Sequence, residues 1–477
     1  MQKLNKLALA ALLALPSYSS LALESHFVYN PDGQAVFQVR FFDQGDGPFM
    51  PGQYQPEQST WNLNAQQKNK ILAAMGYWAE IIKPAPGYPP AIVNIGTNDE
   101  PGNAGGLSVE ISDGNVALTQ LQAALLGIEF NEQTFGSHAQ FVMGLMNFDD
   151  LDYVPSQQPR PINQADLVGV AIHELAHGLG VSNSVQNRYG PDMPYFNDVL
   201  GTWAQHLRDD NGNPARPGQV VLCSECNNAY DSSGFDVSKD QGYFTGKHVD
   251  EVLAGALPGV PVKILARDSI LDTDYMSHIE LKNSMMSHQS YRNYSTFMEA
   301  ELALLQDLGY DIDRRNFFGY SVYGNGQQLV NNNGFFQRNP QGTAYLPGQY
   351  NTATLGLGLH IYGSNNTLFQ RADLLTKGAG GAGVRVDGQG NTLVIEPGTR
   401  VHADGLNGRG ILFAYGKDHN LIQRGDVQAL GEDGVAASFN FGNNPLGNNV
   451  DYRGSYIHLI NWQPAAPMDE LNGALVN

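Results

Sequence analysis

The chain has 477 residues, more than one hydrophobic core ordinarily holds, so two or more domains are expected. Hydrophobic residues make up 42% of it, enough for packed cores, which excludes global disorder. With 47 acidic against 27 basic residues the net charge is -20, which repels polyphosphate and argues against nucleic acid as a partner.

The first 22 residues have the pattern of an export signal. Lys3 and Lys6 precede an unbroken apolar run over residues 7–15, and Ser20-Leu21-Ala22 offers small residues where a signal peptidase reads. Cleavage is expected after Ala22, leaving a mature chain that begins near Leu23. The run is too short to span a bilayer, and no later stretch has the length and apolarity of a membrane helix. The mature chain is therefore expected at the cell surface, in association with an outer membrane or outside the cell.

Residues 23–315 alternate helical and strand patterns, as in a mixed α+β domain. Over residues 61–82, Ile71, Met75, Trp78, Ile81 and Ile82 recur at helical spacing. Residues 90–95 and 138–146 read as strands. The acidic run Asp149-Asp150-Leu151-Asp152 reads as a solvated loop, with a structural Ca2+ site as the alternative. Residues 188–275 are rich in Gly, Pro, Asn and Asp and read as a large insertion rather than a second core. The two cysteines fall within it. Cys223 and Cys226 are followed by loop-like residues, not by the helix a redox motif needs, and a local disulfide is expected. Half of a zinc site is the alternative, but no second cysteine pair exists to complete it. A short helix is expected over residues 299–308, stopped at Gly309.

The chemistry concentrates in residues 166–180. Val168, Ala171, Ile172, Leu175 and Leu179 form an apolar helical stripe, and His173 and His177 lie one turn apart on another face. In His173-Glu174-Leu175-Ala176-His177 that spacing lets two imidazoles converge on one metal ion, with Glu174 beside it as a general base. Gly178 and Gly180 are expected to end the helix in a sharp turn. A catalytic zinc wants three protein ligands and one open position. The position six residues after His177 is Asn183, a poor ligand, so a distant residue must complete the set. The candidates are His278, Glu280, His248 and Glu251.

The stretch Tyr275-Met276-Ser277-His278-Ile279-Glu280, followed by Met285-Met286-Ser287-His288 and by Gln306-Asp307-Leu308-Gly309-Tyr310, resembles the end of a leishmanolysin-type metzincin domain. Such domains carry HExxHxLG, a long insertion, a histidine motif, a methionine turn and a closing helix, in the order seen here. The resemblance covers roughly residues 60–315. It implies that His278 is the third zinc ligand and Met286 the methionine beneath the metal. His288 stands near where some metzincins place an oxyanion-stabilising tyrosine, although an exposed loop histidine is the simpler reading. The sparse cysteines depart from the disulfide-rich members of that family.

From residue 316 the pattern is periodic. Gly358, Gly383, Gly410 and Gly434 each open a short alternating strand, and the first three strands lead to Asn366-Thr367-Leu368, Asn391-Thr392-Leu393 and Asn420-Leu421-Ile422. Strands punctuated by Gly and Asn at this period indicate an all-β parallel β-helix, whose coils must stack to bury their inner faces. Arg424-Gly425-Asp426 falls inside one coil and reads as a chance match to an integrin-binding tripeptide. The repeat and the tract from Pro347 to Gly356 resemble the β-helical passenger stems of bacterial autotransporters. That resemblance implies outer-membrane attachment through a barrel absent from this chain.

The expectation is thus a signal peptide (1–22), an α+β metzincin-like peptidase domain (23–315) and a parallel β-helix (316–477). Its expected function is zinc-dependent endopeptidase action on a protein or peptide substrate, with one catalytic Zn2+ held by His173, His177 and His278. Glu174 serves as the base. The alternatives are a surface adhesin with an inactive peptidase-like head and an exported zinc aminopeptidase.

Overall fold

The computed structural model describes residues 23–439 and 475–476, apart from 48–57, 102–103, 113, 130–135, 147, 149–152, 159–165, 183–184, 188–193, 223–232, 239–240, 264, 268–269, 273–275, 282–283 and 288–295. The expected signal segment, the acidic run 149–152, Asn183, Cys223, Cys226 and His288 lie outside the described residues. The chain is mixed α+β, with mostly parallel sheets in its C-terminal part.

The N-terminal part is built on a five-stranded sheet. β1 (Glu24–Tyr29) and β2 (Ala35–Phe41) form a hairpin whose turn places Gly33 at φ +81°. β3 (Ala91–Pro101) lies parallel between β2 and β7 (Ala139–Leu145), and its apolar run is buried on both faces. It extends past the expected 90–95 because Thr97 to Pro101 continue along β7 through a bulge. β4 (Ala104–Leu107) pairs antiparallel with β7 as the terminal strand on that side. β5 (Glu110–Ser112) and β6 (Ala117–Thr119) make a small separate ladder.

Seven helices are described. α1 (Ala65–Ile81) starts at an Asn64–Gln67 capping box and buries Ile71, Ala74, Met75 and Trp78. α2 (Gln120–Leu126) is capped by Thr119. α3 (Leu167–Gly178) packs on α1, where the Trp78 indole donates to the Ile172 carbonyl at 3.1 Å. α4 (Thr202–Gln205) and α5 (Lys247–Leu253) belong to the region read as an insertion. Its described strands are short, and Trp203, Phe244, Val249 and Val260 join the core of the rest of the N-terminal part. α6 (Glu299–Asp307) closes this part, stopped where Gly309 adopts φ +105°, and α7 (Arg314–Phe317) leads directly into the next strand.

Beyond residue 317 the chain visits three parallel sheets in turn. The first stacks Phe318–Val322, Leu357–Ile361, Ala382–Val386, Arg409–Phe413 and Val435–Phe439. The second stacks Gln328–Asn331, Thr367–Gln370, Thr392–Ile395, Asn420–Gln423 and Leu475–Val476. The third holds Leu374–Thr376, Arg400–Ala403 and Asp426–Gln428. Stacked coils of this kind are compatible with a parallel β-helix. Inside them Leu359, Val384 and Ile411 stand in register and fully buried. Buried asparagines at the turns add a ladder: the Asn366 N–H donates to the Asn391 side chain, and the Gln327 N–H to that of Asn366.

The repeat read from the sequence began at Gly358, but an earlier rung exists. Phe318 pairs with Leu357, a step of 39 residues, whereas later steps are 25 to 28. The longer connection hid the period. The two parts also share one continuous core, in which Leu357, Ala382, Leu412 and Tyr415 of the coils pack with the helices of the N-terminal part.

Candidate metal centre

α3 presents His173, Glu174 and His177. The helix ends at Gly178, and Gly180 turns the chain with φ +101°. That turn brings the Val181 carbonyl back to His177, whose Nδ1 donates to it at 2.7 Å. The Thr119 hydroxyl donates to Gly178 O at 2.6 Å, and the Tyr310 hydroxyl to Leu179 O at 2.9 Å, so the exit is pinned from two sides.

His173 is buried and its Nδ1 donates to the Met285 carbonyl at 2.8 Å. A carbonyl only accepts, so both α3 imidazoles carry their proton on Nδ1 and turn an Nε2 lone pair to the same point. Their Nε2 atoms are 3.3 Å apart. His278 arrives from 105 residues away and sets its Nε2 3.1 Å from that of His173. Ligand nitrogens about 2.0–2.1 Å from a tetrahedral ion sit about 3.3 Å from one another. Two facing lone pairs at that separation repel unless an electrophile lies between them. Donor set and spacing therefore fit a divalent cation. Among the described residues these three histidines are the cluster able to hold one.

The other candidate ligands sit elsewhere. His248 and Glu251 lie on α5, where Glu251 pairs with Arg314 at 3.1 Å. Glu280 is buried beside His278 but is not among the three converging side chains, and its N–H donates to Pro261 O.

Glu174 projects beside the cluster, half-buried, and Oε2 accepts the Gly106 N–H of β4 at 3.0 Å. A Cβ on Gly106 would overlap the Glu174 carbonyl, so only glycine lets the edge strand lie this close to α3. Gly106 was not among the expected site residues. Its signal was the Gly105-Gly106 pair within a short strand-like stretch, where glycine often marks a close backbone approach.

The turn at Met285 and Met286 is buried and bridges His173 to the segment that carries His278. Met285 O receives His173, and Met286 O accepts the Ile279 N–H beside His278 at 3.0 Å. Beneath it lies Glu301 of α6. Its carboxylate accepts the N–H groups of Met286 at 2.6 Å, Met285 at 3.1 Å and Met298 at 2.7 Å. Burial pushes the Glu301 carboxyl up to about 7 against the downward pull of those donors. Sequence reading missed this support, since a glutamate in a helical first turn is ordinarily just a cap.

The chain matches no protein-family description, no curated protein and no solved structure in the comparisons made.

Proposed function

We propose that the chain is an exported zinc-dependent endopeptidase, with a metzincin-like catalytic domain joined to an autotransporter-like parallel β-helix. The observation that carries this reading is the convergence of His173, His177 and His278 with Glu174 alongside. A zinc ion in that cluster would polarise a peptide carbonyl and acidify water, so that attack proceeds near neutral pH.

The remaining work falls to the chain's own groups. Glu174 takes the proton from the attacking water and returns it to the leaving amine. The Gly106 N–H holds one carboxylate oxygen and so aims the other. β4 ends the sheet on the side of Glu174, and an extended peptide can pair with such an edge through its backbone. This mode binds internal segments of a chain, which favours an endopeptidase over an aminopeptidase.

The test is hydrolysis of a mixed peptide library by the zinc-loaded mature protein beside Glu174→Ala. Cleavage of internal bonds by the parent, lowered roughly 10²- to 10⁴-fold in a variant that still binds zinc, is the expected result. Zinc binding without cleavage by either protein would overturn the enzyme reading in favour of an adhesin. Export is checked by the N-terminus of the mature protein, expected at Leu23.

A further inference from the structure

Contacts between the stacked coils and the N-terminal part include one on α1, a group on residues 155–158 and one on α6. On α1, Glu80 accepts the Thr354 N–H at 2.9 Å, two residues after the Trp78 that holds Ile172 O next to His173. On the segment ahead of α3, Asn407 donates to Pro155 O at 2.9 Å and Gln157 donates to Leu355 O at 2.6 Å. Arg409 also donates to the Gln158 amide oxygen at 3.2 Å.

The third contact is the most direct. Tyr323 directly follows the first coil strand, is 2% exposed and sets its ring at a tilt against that of Tyr362. Its phenol oxygen accepts the Ala300 N–H at 3.0 Å. Ala300 lies in the first turn of α6, where N–H groups lack helical partners, so Tyr323 fixes the start of that helix. One residue on, Glu301 holds both N–H groups of the Met285–Met286 turn. Met285 O in turn receives His173 Nδ1. A hydrogen-bonded path therefore runs from the coils to a ligand: Tyr323 to α6, α6 through Glu301 to the turn, and the turn to His173. Arg385 of the third coil rung lies near enough to Glu301 and Tyr323 to favour their charged forms, although burial keeps both shifted upward.

We propose that the coils serve as the positioning half of the metal centre, with Tyr323 and Glu301 as positioning residues that set the orientation of His173 through the Met285–Met286 turn. This rests on reading the three histidines as a metal centre. Outer partners of metal-bound imidazoles commonly change affinity roughly 10- to 100-fold when removed. Glu301 and Tyr323 act one and two links further out, so effects at or below the low end of that range are expected.

The experiment uses the full mature chain and Co(II) as the probe, reading affinity, release to a chelator and the visible absorption of the bound ion. Tyr323→Phe keeps the ring and deletes only the acceptor. Release is expected to quicken about threefold, with an altered Co(II) spectrum. Glu301→Gln is expected to weaken binding about tenfold. Asp373→Asn, which breaks an exposed coil pair with Arg400, is expected to leave both readouts at the parent level. Parental affinity and spectrum in both Tyr323→Phe and Glu301→Gln would overturn the proposal, as would a lowered melting temperature with an unchanged spectrum. A parent that binds no Co(II) would instead overturn the metal-centre reading on which it stands.

Discussion

The two parts of this molecule satisfy buried polar groups in opposite ways. In the coils one solution is repeated by translation: Gln327 donates to Asn366, and Asn366 to Asn391, each bond joining neighbouring rungs. In the N-terminal part the bonds are not repeated, and those that assemble the site are long-range. Glu174 meets a strand 68 residues away, and His173 meets a turn 112 residues away. Repetition tolerates loss, because a neighbouring rung still holds the register. A converging site has no spare copy of any part. The coils should therefore be the sturdier half under substitution, and the histidine cluster the more brittle.

The largest effect expected is at the cluster. His278→Ala removes one of three converging donors while leaving α3 intact, and Co(II) affinity should fall by at least about 100-fold, read by equilibrium dialysis. Affinity at the parent level would mean that two helix histidines suffice and that the site is not a converging one.

Gly106→Ala comes next. A methyl group there meets the Glu174 carbonyl, so the edge strand must move and the carboxylate loses its N–H donor. Peptide hydrolysis is expected to drop about 10²-fold, as happens when a catalytic group is misplaced by about an ångström, with metal binding kept. Loss of metal as well would show that β4 supports the ligands rather than the base.

Asn391→Ala tests the repeated half. The Asn391 amide donates to Gly363 O and Asp387 O and accepts from Asn366. Leaving such buried groups unpaired costs about 1–3 kcal/mol each, and thermal unfolding measures the total. The coils should still fold, since the aliphatic stack of Leu359, Val384 and Ile411 is untouched. Failure to fold would erase the supposed tolerance of the repeat.

The smallest effect expected is on pH dependence, where the halves should differ in sign. Burial holds His360 and His419 of the coils below the ordinary 6.5. The unfolded chain takes up protons there as pH falls below 6.5 and the folded one does not, so their contribution is lost on acidification. Asp387 adds to this at lower pH. Burial would raise its carboxyl, but Arg385 and His360 outweigh that and hold it below 3.8. Glu301 works the other way. Its folded value of about 7 exceeds the ordinary 4.5, so stability present below 4.5 is lost as pH rises toward 7. Melting temperatures from pH 4 to 8 should show the acid-side loss shrink in His360→Gln and the loss toward neutrality vanish in Glu301→Gln. Unchanged profiles would mean that these groups do not govern the pH response.

How much was legible in the sequence follows the range of the interactions. The spacing of His173 and His177 is local, because a helical turn alone puts both on one face, and the Gly178 and Gly180 exit lies beside them. The coils were legible from Gly358 onward because each rung repeats its Gly, its strand and its Asn. The rung at Phe318–Val322 was not, because the step to Leu357 broke the period. His278 was singled out by resemblance, while spacing alone left Glu280, His248 and Glu251 beside it. The tertiary structure decided what no local pattern encodes: which distant histidine meets α3, and that Gly106 lies against Glu174. It also placed Glu301 beneath the Met285–Met286 turn and Tyr323 at the start of α6. The physical reason is that periodicity records which face of an element is buried, whereas a converging site depends on how separately encoded elements pack against each other.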